Sequence, residues 1–310
     1  MMVNEHTNFL CKHARRRGIT CRILKENSSF CVLEKGNRQH LVYGGIVFDS
    51  ASASASSISR NKTATNQFLK MYNFPVLPHI KIQDLKEAST FLKKHKKVVV
   101  KPLMMKQGLG ITVGIETMSE LRKAWNEVEQ VSKLSKVVEK YYPGIDHRVL
   151  VINYKHIFVV QRFPARVVGD GEKSILQLIK QNNKTKTPGK RKKDIEIDEV
   201  LTSYLKKQGL NLSSVPAKDS LIDLRGTANI HTGGTSRDFT DEISKEVKAE
   251  VIKIAKLLKL PVLGVDYLAK DINKKRYIIE LNADPGIQLH HFPTHGKSRD
   301  VVTKILDMLF

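Results

Sequence analysis

Alternating and clustered apolar residues divide the chain into short strands and amphipathic helices. In the N-terminal part, a helix that ends near Arg17-Gly18 precedes three short strands predicted between residues 20 and 43. The tract ASASASSIS at residues 51–59 has low complexity and predicts either a flexible connector or a loop beside a ligand. Residues 1–60 are therefore predicted to form a small N-terminal α/β domain that ends in a Ser/Ala linker.

The next part of the chain combines helical periodicity with two apolar strands. Asp84 and Glu87 are three residues apart, which is the spacing of a helix N-cap with its capping box. The predicted elements of residues 61–135 are a helix at 62–72, a helix capped by Asp84, strands at 98–102 and 111–115, and a helix capped by Ser119. This order predicts a first lobe with a Gly-containing loop between its two strands.

Residues 136–310 also mix strands and helices and are predicted to form a second lobe. Its predicted elements are strands at 137–142, 148–152, 157–162, 263–269 and 276–282, and a helix that begins at Thr240. The stretch NNKTKTPGKRKK at residues 182–193 has no apolar periodicity, so we predict a cationic loop there. The whole pattern predicts an α/β (α+β) fold of two lobes behind a small N-terminal domain.

The charge of the chain changes the set of expected partners. Lys and Arg number 53 against 31 Asp and Glu, which gives a formal charge of +22. Such a charge favours polyanions, among them nucleotides, phosphates, nucleic acids and acidic substrates. A Lys-rich solvated surface explains the same excess, so charge alone does not select a function.

Cysteine usage and the N-terminal sequence bear on the compartment. The three cysteines, Cys11, Cys21 and Cys31, form no CxxC pair and leave one residue over, which speaks against a disulfide scaffold and a structural zinc site. No apolar segment precedes the basic cluster near the N-terminus, and no apolar run approaches the ~20 residues that span a bilayer. We therefore expect a cytoplasmic protein without a membrane partner.

Two apolar strands near the C-terminus carry acidic and amide side chains. In YIIELNADPG, Glu280 and Asn282 are two residues apart, so they share one face of a strand. The preceding strand carries Asp266, and adjacent antiparallel strands would bring the three oxygen donors to one divalent cation. The alternative is an ordinary strand end before a Pro-Gly turn, but an unpaired buried Asp and Glu would be unfavourable, which favours the cation.

A second group of residues points to phosphate and nucleotide binding. Lys101 ends an all-valine strand, and the glycines of Gln107-Gly108-Leu109-Gly110 allow backbone N–H groups to approach a phosphate. The pattern is not a Walker P-loop, and a tight hairpin is the alternative for the glycines. The segment VVEKYYPGID places a strand end and Asp146 where a base edge and ribose hydroxyls would bind, with a charged strand end as the alternative.

In this order, the lysine, the Gly loop, the strand end and the acidic strands resemble the ATP-grasp superfamily. The segments YYPGIDHRVLVI, FPARVVGDG, ANIHTGGTSRDFTDE and IIELNADPGI are similar to the ligase modules of cyanophycin synthetases and bifunctional glutathione synthetases. The resemblance implies an ATP-grasp fold in which two lobes hold ATP. It also implies a reaction in which a carboxylate is activated as an acylphosphate and an amine attacks it.

The resemblance assigns ligands by position. It implies that the ATP phosphates contact Lys62 and Lys101, the phosphate-covering loop contains Gly108 and Gly110, adenine contacts Glu139 and Tyr141, the ribose contacts Asp146, Mg²⁺ or Mn²⁺ is bound by Asp266, Glu280 and Asn282, and the transferring phosphoryl group contacts Arg148, Arg225 and Asn229. For Arg225, a surface ion pair is the alternative. Residues 104–107 read MMKQ where related modules carry small or polar residues, which indicates a difference in loop closure or substrate contact.

The predicted function is that of an ATP-dependent carboxylate–amine ligase acting on small molecules, an amino acid or small peptide among them. Two alternatives stay open: an ATP-grasp kinase that stops at phosphate transfer, and a non-catalytic basic protein that binds nucleic acid through residues 93–97 and 190–193. Aromatic residues are sparse in both basic runs, so nucleic acid is the less favoured partner. The sequence shows neither a glutamate–cysteine ligase module nor a Mur-ligase-like module, so a glutathione or cyanophycin product is not favoured. Whether the chain forms a homo-oligomer stays open.

Overall fold

The computed structural model describes residues 4–103, 111–131, 136–185 and 193–310 as a mixed α/β protein. The helices are α1 (Glu5–Arg16), α2 (Ala53–Ser59), α3 (Lys62–Met71), α4 (Leu85–His95), α5 (Met118–Val131), α6 (Ile175–Lys184), α7 (Glu199–Lys207), α8 (Lys245–Leu258), α9 (Gln288–His291) and α10 (Val301–Leu309). The strands are β1 (Thr20–Ile23), β2 (Phe30–Lys35), β3 (Arg38–Tyr43), β4 (Val47–Phe48), β5 (His79–Ile82), β6 (Val98–Pro102), β7 (Thr112–Ile115), β8 (Lys136–Lys140), β9 (Ile145–Ile152), β10 (His156–Phe163), β11 (Arg166–Val168), β12 (Leu221–Asp223), β13 (Thr235–Asp238), β14 (Val262–Asp271) and β15 (Lys275–Asn282). Within the described residues, none of the helices has the length and apolar character needed to cross a bilayer.

The chain divides into two compact units, each assembled from segments that are distant in sequence. The described residues of unit 1 come from Met1–Val76, His147–Val160 and Asp238–Phe310, and those of unit 2 come from Leu77–Asp146 and Gln161–Arg237. The three consecutive segments predicted from the sequence cut the chain differently, and that division stays a prediction.

The N-terminal part of unit 1 packs α1 against an antiparallel sheet in the order β1-β2-β3-β4. The side chain of Asn4 caps α1 by accepting hydrogen bonds from the backbone N–H groups of His6 and Thr7 at 3.0 and 3.2 Å. Leu10 lies on the buried face of the helix, and Gly18, with a φ of 69°, follows its end. The predicted helix and the three predicted strands are confirmed.

The same N-terminal part brings the three cysteines together, which their spacing did not predict. Cys11 on α1 forms a disulfide with Cys21 on β1, and Cys31 on β2 is a buried free thiol beside them. Burial raises the pKa of the Cys31 thiol to about 11, and the charge of Arg15 opposes this rise. The expectation of no disulfide is wrong for Cys11 and Cys21, because a helix that turns back onto a strand closes their separation of 10 residues.

The Ser/Ala tract is helical, so the prediction of a flexible connector is wrong. Ser52 caps α2 by accepting a hydrogen bond from the backbone N–H of Ala55 at 3.2 Å. The methyl group of Ala55 is buried in the apolar core of unit 1. Alanine has the highest helix propensity, and this burial adds a tertiary stabilisation that composition does not reveal.

Within unit 1, strands β9, β14 and β15 are neighbours in a sheet with the order β13-β10-β9-β14-β15. Helix α8 packs on β14, and its buried Val251 and Ile254 join the apolar core. The predicted start of this helix at Thr240 is wrong. The hydroxyl of Thr240 accepts a hydrogen bond from the backbone N–H of Val159 at 3.0 Å, and Ser244 caps α8 instead.

Unit 2 contains an antiparallel sheet in the order β5-β8-β6-β7, with α4 and α5 packed against it. The predicted cap Asp84 is confirmed, since it accepts a hydrogen bond from the backbone N–H of Glu87 at 2.8 Å. The predicted cap Ser119 is wrong, because Thr117, two residues earlier, forms the reciprocal capping interaction of α5 with Glu120.

Another part of unit 2 packs α6 and α7 around a small apolar core beside the paired strands β11 and β12. Ser174 and Gln177 form a capping box at the start of α6, which runs to Lys184. The predicted cationic loop of residues 182–193 therefore overlaps the end of a helix, and its residues 186–192 lie outside the described residues.

Candidate functional site

Acidic side chains of unit 1 meet on one face of the β14–β15 pair. The antiparallel register places Asp266 opposite Glu280, and Gly264 opposite Asn282. Since residues two apart on a strand share a face, Asp266, Glu280 and Asn282 lie on the same side of the pair. The prediction that adjacent antiparallel strands bring these three side chains together is confirmed.

Asp266 is the most enclosed of these side chains, and it is ion-paired. It is 1% exposed, and its two carboxylate oxygens accept hydrogen bonds from Nε and Nη2 of Arg148, the second at 2.8 Å. Arg148 lies on β9, the strand next to β14. The paired hydrogen bonds fix the orientation of Asp266, and a carboxylate held in this way keeps lone pairs for a further ligand.

Glu280 is the more open carboxylate. Its side chain is 36% exposed, and Nζ of Lys62 lies 3.9 Å from its Oε1. Lys62 is the first residue of α3, whose start is fixed because Asn61 accepts hydrogen bonds from the backbone N–H groups of Thr63 and Ala64. Unit 1 therefore places a predicted phosphate ligand, Lys62, beside the predicted metal ligands.

The donors on this face suit a hard divalent cation. Carboxylate and amide oxygens are the protein ligands that Mg²⁺ takes, together with phosphate oxygens. Among the described residues, the buried Nδ2 atom of Asn282 has no hydrogen-bond partner, as expected of a side chain that faces a ligand site. Arg148 and Lys62 add positive charge beside the carboxylates, which suits phosphate oxygens on the same cation. The residues present therefore fit a metal-bound phosphate group.

Gly264 belongs to this face but was not among the predicted site residues. A Cβ atom at this position would lie 2.8 Å from Cβ of Pro285 and 3.2 Å from Cδ of Arg148. Its missing side chain therefore leaves the room through which Arg148 reaches Asp266. The available signal was a glycine inside the apolar strand sequence LGVDY, since such a glycine often marks the close approach of another group.

Unit 2 contains a second pair of predicted ligands. Nζ of Lys101 on β6 donates a hydrogen bond to Oε2 of Glu139 on β8 at 2.8 Å, and the two side chains are 7% and 9% exposed. The register places Val99 opposite Glu139, so Lys101 and Glu139 are diagonal neighbours on one face of the sheet. Each is the counter-ion of the other.

Tyr141 and Asp146, predicted to contact the nucleoside, follow β8 in the chain. The backbone N–H of Tyr141 donates to the carbonyl of Lys97 at 3.0 Å, and Nζ of Lys97 lies 4.9 Å from the centre of the Tyr141 ring. Asp146 accepts hydrogen bonds of 2.7 to 2.9 Å from Nε and Nη2 of Arg162. Arg162 was not among the predicted residues, although the sequence places oppositely charged residues on two successive strands.

Arg225 is buried, but the carboxylate with which it pairs, Asp198, has a side chain that is 42% exposed. Arg225 is 5% exposed, and its Nη2 donates to Oδ2 of Asp198 at 2.8 Å. Burial alone would raise the pKa of Asp198, but the hydrogen bond from Arg225 helps to hold that pKa below its usual value. Nε of Arg225 is buried without a hydrogen-bond partner among the described residues. The alternative prediction, a surface ion pair, describes the Asp198 side of this pair, whereas the guanidinium of Arg225 is enclosed.

The remaining predicted residues are held locally or lie outside the described residues. The side chain of Asn229 accepts a hydrogen bond from the backbone N–H of His231 at 2.9 Å and shapes the 3₁₀ turn Ile230–Thr232. Gly108 and Gly110, with the loop of residues 104–107, lie outside the described residues. The ligand roles assigned to all of these side chains stay predictions.

Comparisons with known proteins point to one family. Residues 61–224 match the ATP-grasp domain of prokaryotic glutathione synthetase, and residues 222–309 match the RimK-like ATP-grasp domain. The cyanophycin synthetase of Trichormus variabilis is 34% identical to this chain, over 98% of the chain and 35% of that protein. The glutathione biosynthesis bifunctional protein GshAB of Pasteurella multocida is 33% identical, over 95% of the chain and 41% of that protein.

Solved structures agree with the sequence matches. The crystal structure of a bifunctional glutathione synthetase from Pasteurella multocida aligns with a TM-score of 0.71 at 31% identity, over 99% of this chain and 43% of that one. A D-alanine–D-alanine ligase from Bacillus anthracis aligns with a TM-score of 0.53 at 17% identity, over 84% of this chain and 68% of that one, which is a likeness of fold alone.

The matches to both parts of the domain, together with the fold, define an ATP-grasp protein. The chain belongs to the ATP-grasp family, and the predicted fold is confirmed. It spans 35% and 41% of the length of the two curated relatives described above, so it corresponds to one part of each.

Proposed function

We propose that this chain acts as an ATP-dependent carboxylate–amine ligase that forms an amide or peptide bond through an acylphosphate. The observation that carries the proposal is the face of unit 1 on which Asp266 stands opposite Glu280, with Arg148 and Lys62 beside them. Two carboxylates with adjacent cations suit a metal-bound polyphosphate. The names of the similar proteins, a cyanophycin synthetase and a glutathione biosynthesis protein, support the same class of reaction.

ATP is the proposed nucleotide. Its proposed contacts are Lys62 and Lys101 for the phosphates, Gly108 and Gly110 for the loop over them, Glu139 and Tyr141 for adenine, and Asp146 for the ribose. In unit 2, the pair Asp146–Arg162 keeps the Asp146 carboxylate oriented. Such preorganisation lowers the entropic cost of placing a substrate.

Mg²⁺, or Mn²⁺ in its place, is the proposed cation for Asp266, Glu280 and Asn282. When bound, the ion supplies charge neutralisation for the phosphate oxygens. Glu280 offers an open carboxylate, and Arg148 holds Asp266 in one orientation. Phosphoryl transfer depends mainly on positioning and on neutralising charge, and the chain provides both on this face.

The proposed reaction has two steps. A carboxylate oxygen of the first substrate attacks the γ-phosphorus of ATP, ADP leaves, and an acylphosphate forms. The amine of the second substrate then attacks the acyl carbon, and inorganic phosphate leaves as the amide forms. Arg148, Arg225 and Asn229 are the proposed contacts of the transferring phosphoryl group, and the buried Nε of Arg225 is a donor suited to that role.

The proposed substrates are an amino acid or small peptide and an amine. The formal charge of +22 favours an anionic substrate, because long-range attraction raises its encounter rate. The proposed location is cytoplasmic, and neither a membrane nor a nucleic acid is proposed as a partner.

ADP release across a panel of amino acids and dipeptides, followed by mass spectrometry of the product, tests the proposal. Hydroxylamine should trap the acylphosphate as a hydroxamate. A stable phosphorylated product without hydroxamate would identify a kinase instead. Purified chain that releases no ADP with any acid–amine pair, although it binds ATP, would contradict the ligase proposal.

A further inference from the structure

The three cysteines of the N-terminal part take no role in the proposed ligase reaction, yet they converge. The sulfur atoms of Cys11, Cys21 and Cys31 all lie within 4.8 Å of one another, and the chain of 310 residues contains 3 cysteines in all. We propose that, in the reduced protein, these three thiols form a binding site for a thiophilic d¹⁰ cation, Cu(I) or Zn(II).

Three separate elements hold the sulfur atoms in place. The β1–β2 register pairs Cys21 with Leu33 and Ile23 with Cys31, so Cys21 and Cys31 are diagonal neighbours on one face of the sheet. Helix α1 packs against the same two strands, and the Cα atoms of Cys11 and Cys21 are 5.4 Å apart. The three ligands are therefore brought together by the fold and not by a local sequence motif.

The spacing of the sulfur atoms suits a single ion. Thiolates bound to one zinc ion at about 2.3 Å each are about 3.8 Å apart in a tetrahedral site. Separations that do not exceed 4.8 Å reach this geometry by small side-chain rotations. Soft thiolate ligands select Cu(I) and Zn(II) over the hard cations that suit the acidic face of β14 and β15.

The surroundings of the three thiols also favour a cation. The cysteines are 0%, 6% and 0% exposed, and Leu10, Ile19 and Leu33 are in the apolar cluster around them. Thiolates buried in such an environment need a counter-charge. Three thiolates with Zn(II), or two thiolates and a thiol with Cu(I), carry one net negative charge. Nη2 of Arg15, 3.0 Å from the carbonyl oxygen of Cys21, places one positive charge beside them.

The number of ligands bears on which ion binds. Within the described residues, no histidine, aspartate or glutamate joins the three cysteines in one group of ligand atoms. Cu(I) accepts two or three thiolates, whereas tetrahedral Zn(II) would need a water molecule enclosed with it as the fourth ligand. The two ions therefore differ in the coordination that they would show.

The Cys11–Cys21 disulfide and the metal site exclude each other. Forming the disulfide removes two electrons and two protons from two of the three ligands. A phosphine reductant returns the two electrons and becomes a phosphine oxide, while water supplies its oxygen and the two protons. The cation then binds without any change of oxidation state, and each thiol that becomes a thiolate releases one proton. Oxidised and reduced forms of the same chain therefore serve as matched samples.

Titration of the full chain with metal tests the site. The chain is reduced with a phosphine, freed of reductant without oxygen, and titrated with Cu(I) against a chromophoric Cu(I) chelator and, separately, with Zn(II). We expect one equivalent of one or both ions to bind, with two or three sulfur ligands in the X-ray absorption spectrum. Cys31→Ser should weaken binding at least about 100-fold, since it removes a direct ligand. Leu41→Val, at an exposed position of β3, leaves the three thiols and their apolar surroundings in place, so it should keep the affinity of the unchanged chain.

Two outcomes would overturn the proposal without relying on the variants. One is the absence of stoichiometric binding of either ion to reduced chain that retains its circular dichroism spectrum. The other is equal affinity in the reduced and the disulfide-bonded chain, because the second has lost two of the proposed ligands. Tight binding that persists when all three cysteines are replaced by serine would also place the ion elsewhere.

Discussion

Two buried ion pairs, one in each unit, join residues that were predicted to bind ligands, and they differ in kind. In unit 1, the guanidinium of Arg148 donates a hydrogen bond to each carboxylate oxygen of Asp266, and the two side chains are 8% and 1% exposed. In unit 2, Lys101 makes one hydrogen bond to Glu139 at 2.8 Å, with side chains 7% and 9% exposed. A guanidinium fork fixes its partner in a plane, whereas an ammonium is a point charge on a flexible stem.

This difference suggests different roles for the two pairs. Arg148 fixes Asp266 while the opposite carboxylate, Glu280, stays more open to a cation. We infer that the pair in unit 1 positions a metal ligand and is kept when nucleotide binds. The ammonium of Lys101 reaches a phosphate by turning away from Glu139, so we infer that the pair in unit 2 is exchanged on binding.

The largest expected effect is on stability, at Arg148. Arg148→Met leaves Asp266 charged and almost fully buried, so the free energy of unfolding should fall by about 3–5 kcal/mol. Urea unfolding followed by circular dichroism measures this change. Adding Asp266→Asn should recover most of the loss, because the uncompensated charge is then removed.

Arg22→Met is the matched control, since Arg22 pairs with Glu34 and its side chain is 64% exposed. An exposed pair contributes less than about 1 kcal/mol, so this variant should unfold close to the unchanged chain. Equal losses of unfolding free energy in Arg148→Met and Arg22→Met would mean that burial of the Arg148–Asp266 pair does not increase the cost of removing its arginine.

The second effect is on nucleotide binding, at Lys101. Lys101→Met removes a proposed contact to phosphate in both the ground and transition states, so nucleotide affinity and turnover should fall together. A hydrogen bond to a charged group contributes about 1.5–3 kcal/mol, which corresponds to about 10–100-fold in affinity. Calorimetric titration with ATP and steady-state ADP release measure the two quantities.

The double variant Lys101→Met/Glu139→Gln separates nucleotide binding from stability. It should recover stability, because the buried carboxylate is neutralised, but it should not recover the nucleotide affinity. Unchanged affinity and turnover in the single variant would show that Lys101 has no role at phosphate.

Strand faces were predictable from the sequence because alternation is local. The strand Val98–Pro102 has the predicted bounds, and Asp266, Glu280 and Asn282 share the predicted face. The partners of these residues were not predictable, because they come from other strands. Asp266 and Arg148, for example, are 118 residues apart.

Local composition predicts the wrong structure in places where tertiary contacts decide it. The Ser/Ala tract reads as a flexible connector, but the burial of Ala55 stabilises a helix there. The cysteines read as isolated residues because the chain reversal that joins α1 to β1 and β2 has no signature in their spacing. In both places the structure depends on packing between residues that are distant in sequence, and the local pattern of residue types does not encode that packing.

The third effect is on turnover, at the face of β14 and β15. Glu280→Gln and Asp266→Asn each remove a charged ligand of the proposed cation. Weakened metal sites typically lose about 10–100-fold in activity, and turnover should fall at least that far. ADP release at saturating substrates measures it. Asp271→Asn is the control, because Asp271 ends the same strand at an exposed position, paired with Lys275 in the register. Near-normal ADP release in Glu280→Gln would remove the metal assignment.

The smallest effect concerns the excess charge. If the formal charge of +22 attracts an anionic substrate, the basic run at residues 182–193 is the proposed collector. Such attraction acts on encounter and is screened by salt, with a Debye length of about 8 Å at physiological ionic strength. We therefore expect the apparent KM for the carboxylate substrate to rise with added salt, while kcat changes little.

Replacing Lys190, Arg191, Lys192 and Lys193 together by glutamine should flatten that salt dependence and leave kcat in place. Glutamine keeps the polar character and approximate length of these side chains and removes only their charge. The two ion pairs compared above are enclosed, so salt should screen them less than it screens the exposed charges. If KM for both substrates does not change with added salt, the excess charge is a property of the solvated surface and does not attract the substrate. If the chain is retained on nucleic acid at physiological salt and the quadruple variant is not, the excess charge binds a polyanion through these four basic residues.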